Sequence, residues 1–292
     1  MPKCPCYTGP ASRRPFTSTL APDAPQMDYC RCLSSGVWHR GQLKLLLSEM
    51  VFLQPYRGTR HRVVYAGAAP GLHIPILADM FPEMRFMLID PHPSALADVC
   101  PPNVVTLQTE MTNQLAEEMA GKYAGEPLLF ISDVRVGPPA GCTESLRDHQ
   151  QRVHRDMLAQ MGWYQRLMPK AGLLKFRLPW DLEPRTMYLS GTILLPVFGR
   201  HFTHESRLIV TGPAPAMESY DNVKYERQMA FFNRVVRPAT FADGRCYDCT
   251  AFTTVVAKFL GLQPRADAVS RKCRHIESEL ARIMTDFRIN LD

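Results

Sequence analysis

From about residue 41 onward, short apolar runs alternate with stretches of helical period. The segment GQLKLLLSEMVFL (41–53) places Leu43, Leu46, Leu47, Met50 and Val51 three and four residues apart, which predicts an amphipathic helix leading into the core. Five runs follow: VVYA (63–66), RFMLID (85–90), NVVTLQ (103–108), PLLFISDV (127–134) and GLLKFRLP (172–179). They are short, apolar nearly throughout and partly β-branched, so they read as strands buried on both faces of a parallel sheet. Between the fourth and fifth, Val153, Met157, Leu158, Met161 and Leu167 form the apolar face of a crossover helix stopped by Pro169. The fold class that follows is α/β, a doubly wound and mostly parallel sheet with helices on both faces. GTILLPVFG (191–199) and ESRLIVTGP (205–213) are two further strands close together, which suits an antiparallel edge. A helix over 221–237 ends at Pro238, and Val269, Ile276, Leu280, Ile283 and Phe287 mark a final amphipathic helix.

Composition narrows this picture without redirecting it. The chain has 292 residues, 46% of them apolar, enough for one large domain or two small ones and incompatible with disorder as the default state. No run approaches the roughly 18–20 apolar residues of a bilayer-spanning helix, and MPKCPCYTGPASRRPF lacks the apolar core of a secretory signal, so a soluble, non-secreted protein is expected. Residues 1–35, rich in Pro, Ser, Thr and Cys, read as a flexible N-terminal arm, leaving 36–292 as a single domain. A net charge of +6 fits a polyanionic partner but is weak by itself. Nine scattered cysteines form no disulfide framework, and the one CxxC, Cys246 to Cys249, has no second ligand pair at zinc-finger spacing; free thiols and no metal are expected.

Candidate chemistry begins at VVYAGAAPGLHI, where Gly67 and Gly71 directly follow the first strand, the place where a doubly wound sheet opens its ligand crevice. The spacing departs from the dinucleotide fingerprint GxGxxG, since Ala69 replaces the glycine that lets backbone approach a pyrophosphate. An adenosine ligand without phosphates, such as S-adenosylmethionine, tolerates this loop. Asp90, at the tip of the second strand, is placed to accept hydrogen bonds from both ribose hydroxyls. From these residues alone two readings stand, a cofactor crevice and a tight turn followed by a capping aspartate. Lys44, Asp133, Lys175 and Glu205 are four charges embedded in apolar surroundings, and each needs a partner. They form either a buried salt-bridge network or, beside a methyl donor, a site in which a desolvated lysine acts as a base.

In order along the chain, GQLKLLL, VVYAGAAPGLHI, MLID, ISDVR, LLKFRLPW, HESRLI and VKYERQMAFFNRVVR resemble the poxvirus cap-specific mRNA (nucleoside-2′-O-)methyltransferases, which double as the small, processivity-conferring subunit of the viral poly(A) polymerase. The resemblance runs from about Tyr29 to the end of the 221–237 helix. It implies a Rossmann-like methyltransferase fold over 36–292 with S-adenosylmethionine as cofactor. It also implies a catalytic tetrad on Lys44, Asp133, Lys175 and Glu205 with Lys175 as general base. Cofactor contacts fall on Gln42, Tyr65, Gly67, Gly71, Asp90, Met111 and Asp133, and on His92, which stands where the family has an arginine. The 7-methylguanine cap is expected between Trp180 and Tyr29, with Asp181 and Glu226 receiving its ring hydrogens. Downstream RNA is expected over Arg177, Leu178 and Pro179 and over Thr203, His204 and Glu205. The implied partners are capped mRNA, single-stranded RNA and the catalytic polymerase subunit in a heterodimer, with no membrane; the implied locations are the virion and the host cytoplasm. The rival functions are an RNA-binding accessory subunit with a vestigial site and, from a different class, a nicotinamide-dependent dehydrogenase, which the missing GxGxxG disfavours.

Overall fold

The computed structural model describes residues 11, 15–29, 40–96, 100–138, 143–180, 182–200 and 202–289. Helix α1 (Gly41–Leu53) leads into β1 (Arg62–Ala66), α2 (Ile74–Met80), β2 (Arg85–Asp90), β3 (Val104–Gln108), α3 (Asn113–Lys122), β4 (Leu128–Ser132), α4 (Leu146–Leu167) and β5 (Ala171–Phe176). There follow β6 (Arg185–Leu189), β7 (Thr192–Leu194), β8 (Ser206–Thr211), β9 (Met217–Asp221), α5 (Asn222–Phe231), α6 (Tyr247–Leu260) and α7 (Asp267–Ile289). The main sheet runs β3-β2-β1-β4-β5-β8-β7. Its first five strands are parallel, β8 runs antiparallel to β5, and β7 runs antiparallel to β8. This is the doubly wound, Rossmann-like arrangement with the antiparallel edge that the strand pattern predicts, and its order reverses between β1 and β4.

Two helical layers cover the sheet. Val64 and Phe130 are register partners, and the Phe130 ring meets Tyr164 of α4 with centroids 6.5 Å apart. One residue on, Tyr65 and Ile131 face the other way, and the Tyr65 hydroxyl donates to Glu49 of α1 at 2.7 Å. The α3–α4 layer therefore lies on one face, and α1, packed with α2, α6 and α7, on the other. α4 starts on a Ser145 cap and ends at Met168 in the left-handed region, just before Pro169. Residues 15–29 run along the antiparallel edge: Thr19 bridges Leu194, and Gln228 of α5 donates to the carbonyls of Pro22 and Ala24. No described helix is long and apolar enough to cross a membrane.

Several expectations change. The run at 103–108 is not buried on both faces, because β3 is an edge strand with Val105 and Leu107 exposed. Leu158 points to solvent, and Trp163 and Tyr164 join Val153, Met157 and Leu167 on the buried side of α4. The strand in GTILLPVFG stops at Leu194, before Pro196 and the positive φ of Phe198. A second sheet, β6 against β9, was not anticipated, since MESYD carries two acids and only Tyr220 is buried in it. Helix α6 also escaped the pattern, being rich in β-branched Thr and Val that weaken the helical signal. The 221–237 helix is α-helical to Phe231 and then widens to a π-helix over Phe232–Val236.

One glycine ties the fold to the site. At Gly67 (φ +77°) the chain leaves β1 against the chain leaving β4, and a Cβ there would lie 2.8 Å from the Val134 nitrogen and 2.9 Å from the Asp133 carbonyl carbon. Gly67→Ala is expected to destabilise the protein in urea titrations by about 3 kcal/mol, from left-handed strain plus the backbone clash. Gly244→Ala shares the sign of φ (+78°) but meets nothing within 4 Å; it is expected to cost only about 1 kcal/mol. Equal losses would show that the β1–β4 contact adds nothing.

Candidate active site

The sheet register assembles the charged cluster. Lys175 on β5 is paired with Arg207 on β8, while Asp133 follows the last paired residue of β4, Ser132, whose partner is Leu174. Asp133, Lys175 and Arg207 therefore stand side by side on the α1 face, where Lys44 approaches from the helix. Lys175 Nζ donates to Asp133 Oδ1 at 3.0 Å and to the Asp133 carbonyl at 2.9 Å, and lies 3.9 Å from Glu205 Oε2. Lys44 Nζ meets Glu205 Oε1 at 2.8 Å. Arg207 spans both carboxylates, at 2.5 Å from Asp133 Oδ1 and 3.3 Å from Glu205 Oε1. Beyond the β4 pairing, the Lys175 backbone is held by buried Gln160 of α4, which accepts from its N–H and donates to its carbonyl.

All four charges expected to meet do meet, and Arg207 is a fifth that the sequence reading missed. Its signal was Glu205-x-Arg207 entering a strand, since alternation puts residues two apart on one face. Burial alone would raise both acids, yet Lys175, Arg207 and Lys44 outweigh it, holding Asp133 below its ordinary value and Glu205 well below. Lys175, 7% exposed, is shifted downward by burial with help from Arg207 and Arg135, against the opposing pull of Asp133 and Glu205.

A cavity of about 110 Å³ lies between the Gly67–Gly71 loop and the tips of β2 and β3, lined by Ala68, Ala69, Leu88, Asp90, His92 and Leu107 among others. Asp90 Oδ2 accepts from the Ala69 N–H at 3.0 Å, and Oδ1 from the His92 N–H at 2.9 Å. Oδ1 is also faced by His92 Nδ1, so Oδ2 is the oxygen that keeps a further lone pair for a hydroxyl donor, at the rim of a slot lined by apolar Ala68, Ala69, Leu88 and Leu107 and by polar Ser94, Thr106 and Gln108. The His92 side chain is 81% exposed, with Nδ1 turned back 3.0 Å from Asp90. Gln42, Tyr65 and Met111 stand outside that wall. Gln42 accepts from the His73 N–H, and the Tyr65 hydroxyl is sealed against Glu49, so both brace the loop from beneath. Met111 is buried at the carboxyl end of β3, one residue before the Thr112 cap of α3.

A second region follows β5. Leu178 and Pro179 are buried, and Trp180 is half-buried with its indole Nε1 enclosed and without a partner. The Tyr29 ring lies 4.9 Å from His204 and 6.5 Å from Phe202, centroid to centroid. Burial and the neighbouring Arg177 push the His204 imidazole down to about 4. Glu226 is half-buried on α5, Thr203 Oγ1 accepts from the Glu205 N–H, and Asp181 lies outside the described residues. Cys246 and Cys249 stand at the start of α6 and form no disulfide, and a hydrogen bond from Cys249 holds Cys246 below its ordinary range. Among the described residues no group of His, Cys, Asp and Glu is arranged to hold a metal ion.

The family model described as poly A polymerase regulatory subunit matches residues 30–253. The chain belongs to that family. The poly(A) polymerase regulatory subunit match contains the five-charge cluster, Asp90, Trp180 and Glu226, while Tyr29 lies one residue before it. Among similar proteins is the cap-specific mRNA (nucleoside-2′-O-)-methyltransferase of Myxoma virus (strain Lausanne), 29% identical over 223 residues, 68% of this chain and 62% of that one. The Fowlpox virus (strain NVSL) protein of the same name is 28% identical over 226 residues, 70% of each chain. The match thus spans less than two thirds of the length of the Myxoma relative. A solved structure, a putative ribosomal RNA methyltransferase from Plasmodium falciparum, is 14% identical with a TM-score of 0.38 over 59% of this chain and 96% of that one.

Asp133 and Glu205, held below their ordinary values of 3.8 and 4.5, contribute stability that is complete above those values and is lost as pH falls through their lowered folded values. Arg207→Met leaves the two carboxylates short of a cation. It is expected to lower the unfolding free energy at pH 7 by about 3 kcal/mol and to flatten its decline between about pH 5 and 2.5. Urea unfolding across pH tests both, and an unchanged acid limb would remove Arg207 from the charge balance.

Proposed function

We propose that the protein transfers a methyl group from S-adenosylmethionine to the ribose 2′-oxygen of the first transcribed nucleotide of 7-methylguanine-capped mRNA, and serves as the processivity subunit of a viral poly(A) polymerase heterodimer. The observation that carries the first half is Lys175: a buried amine held between two carboxylates, beside a crevice with an adenosine-type carboxylate at its rim. The second half rests on the family to which the chain belongs. By the same kinship with viral proteins, its places are the virion and the host cytoplasm.

Bound S-adenosylmethionine supplies an electrophilic methyl on a sulfonium. Asp90 accepts its ribose hydroxyls, and the loop after β1, bent by Gly67 and Gly71, gives backbone room without an anion nest. Lys175 Nζ, in its neutral form, takes the proton of the RNA 2′-hydroxyl. Burial makes that form accessible, and Asp133 and Glu205 receive the resulting ammonium, so the barrier is reduced chiefly by positioning and by charge already in place. Lys44 and Arg207 keep both carboxylates ionised and oriented. The arm contributes Tyr29 opposite Trp180, the cationic 7-methylguanine attracting both ring faces, with Glu226 and Asp181 as carboxylate partners. Arg177 and the 203–205 segment guide downstream RNA by phosphate and 2′-hydroxyl contacts, and such a groove need not read sequence. The family's description favours one rival reading, an RNA-binding polymerase subunit that performs no methyl transfer.

The test is transfer of labelled methyl to short capped RNA, with uncapped RNA and RNA lacking the cap methyl as controls. Wild type is expected to act on the methylated cap, with Lys175→Ala at least about 100-fold slower and cap binding retained. The rate should rise with pH along a limb centred below the ordinary lysine value of 10.5, because the neutral amine is the active form. Tight cap-dependent RNA binding without any transfer by the wild type would select the accessory-subunit reading.

A further inference from the structure

Arg177, one residue beyond β5, does not stand alone at the edge of the cluster. Its Nη1 donates to Nε2 of His149, in the first turns of α4, at 2.9 Å. The other ring nitrogen of His149 lies 3.2 Å from Glu144 Oε2. Glu144 precedes the Ser145 cap and is clamped by Arg152, through Nε at 2.7 Å and through Nη2. Arg152 also donates to the carbonyl of Val136, tying the loop after β4 into the same net. His149 Nδ1 also lies 3.0 Å from Arg152 Nη2, so it faces a donor as well as an acceptor. A guanidinium only donates, so Nε2, whose contact is Arg177, must offer a lone pair; the neutral ring then carries its proton on Nδ1 and gives it to Glu144, the acceptor it shares with Arg152. Arg177 Nε is buried and has no hydrogen-bond partner, a donor with nothing in the protein to receive it.

We infer that His149 is a positioning residue for RNA: its neutral imidazole, fixed by Glu144, takes one Nη1 hydrogen of Arg177 and so sets the half-buried guanidinium in place for a phosphate or 2′-hydroxyl oxygen. This deepens the proposed function and rests on its reading of Arg177 as an RNA contact. A second consequence concerns pH. Protonated His149 turns a donor toward a donor and adds a cation next to Arg177 and Arg152, so the relay opens. Burial and Arg177 already hold the ring below its ordinary value of 6.5, with Glu144 opposing, which keeps it neutral at pH 7.5 and charges it on acidification. The groups facing this pair are Glu144 and Arg152 on the α4 side, Arg135 in the loop after β4, and His204, Glu205, Tyr29 and Tyr225 around Arg177. His204, held to about 4, and Glu205, held well below its ordinary value, do not titrate between pH 5.5 and 7.5.

The test is binding of a short capped RNA by fluorescence polarisation at fixed ionic strength from pH 7.5 to 5.5, with methyl-transfer KM and kcat at pH 7.5. Wild-type affinity is expected to fall severalfold on acidification. His149→Leu removes the acceptor, and affinity at pH 7.5 should drop by about five- to tenfold, in KM and not in kcat. His149→Gln keeps an acceptor for Arg177 and a donor for Glu144 but does not titrate; it should bind within about twofold of wild type at pH 7.5 and lose the acid dependence. Thermal melts of each variant report folding. Arg177→Ala decides the underlying reading: unchanged RNA affinity there overturns the RNA role of Arg177 and this inference with it. Weakened binding by Arg177→Ala alongside wild-type behaviour of His149→Leu overturns the inference alone, as does full acid sensitivity in His149→Gln.

Discussion

Charge that cannot be left unpaired in a low-dielectric interior is the constraint on which the site depends. Three cations and two carboxylates converge from α1, the end of β4, β5 and β8, and each is stable there only because the others are present. Their arrangement leaves Lys175 with two competing influences. Burial favours its neutral form, the carboxylates its charged form, and a group so balanced changes protonation with little rearrangement of its surroundings. The same interdependence links the antiparallel edge to the cluster, because Arg207 lies on, and Glu205 directly before, the strand that reverses direction against β5.

The segment that presents Glu205 is fixed by a second buried pair. Arg237 and Asp248 have side chains only 1% and 7% exposed, and meet at 2.9 Å. Asp248 also accepts the Phe198 N–H at 3.0 Å, and Arg237 donates to the carbonyls of Gly199 and Arg200. Asn233, in the π-helical turn, donates to the Thr203 carbonyl, and two residues of this loop, Phe198 and Phe202, take positive φ. Non-glycine residues hold such angles only where surrounding contacts over-determine them. A loop without regular structure is thereby held in one conformation beside the cluster.

Much of the parallel half of the sheet was legible, because strands covered on both faces must be apolar throughout and turn at Gly or Pro. β3 was misjudged in burial though not in type, since an edge strand keeps the composition of its neighbours while one face meets solvent. The β6–β9 ribbon went unread because β9, with Glu218, Ser219 and Asp221, is mostly polar and buries only Tyr220, although its partner β6 buries Thr186, Tyr188 and Leu189. In the site, Lys44, Asp133, Lys175 and Glu205 stood out as charges in apolar text. Arg207 was marked only by its two-residue spacing from Glu205, and Glu49 and His73, a buried pair 2.9 Å apart, carried no local mark, because nothing local distinguishes a buried pair from a solvated one until the partner is known.

The sequence by itself determined the element types along the parallel sheet, the glycine-bent loop after the first strand and the acids and lysines that need partners, since these are consequences of local geometry and of transfer from water. Only the tertiary structure decided who pairs with whom. Register placed Arg207 beside Lys175, the packing of α1 drew Gln42 and Tyr65 beneath the loop and away from the cavity wall, and the start of α4 brought Glu144 and His149 to Arg177. Such pairings join residues far apart in the chain. Their energy depends on distance and burial, which no run of neighbouring letters records.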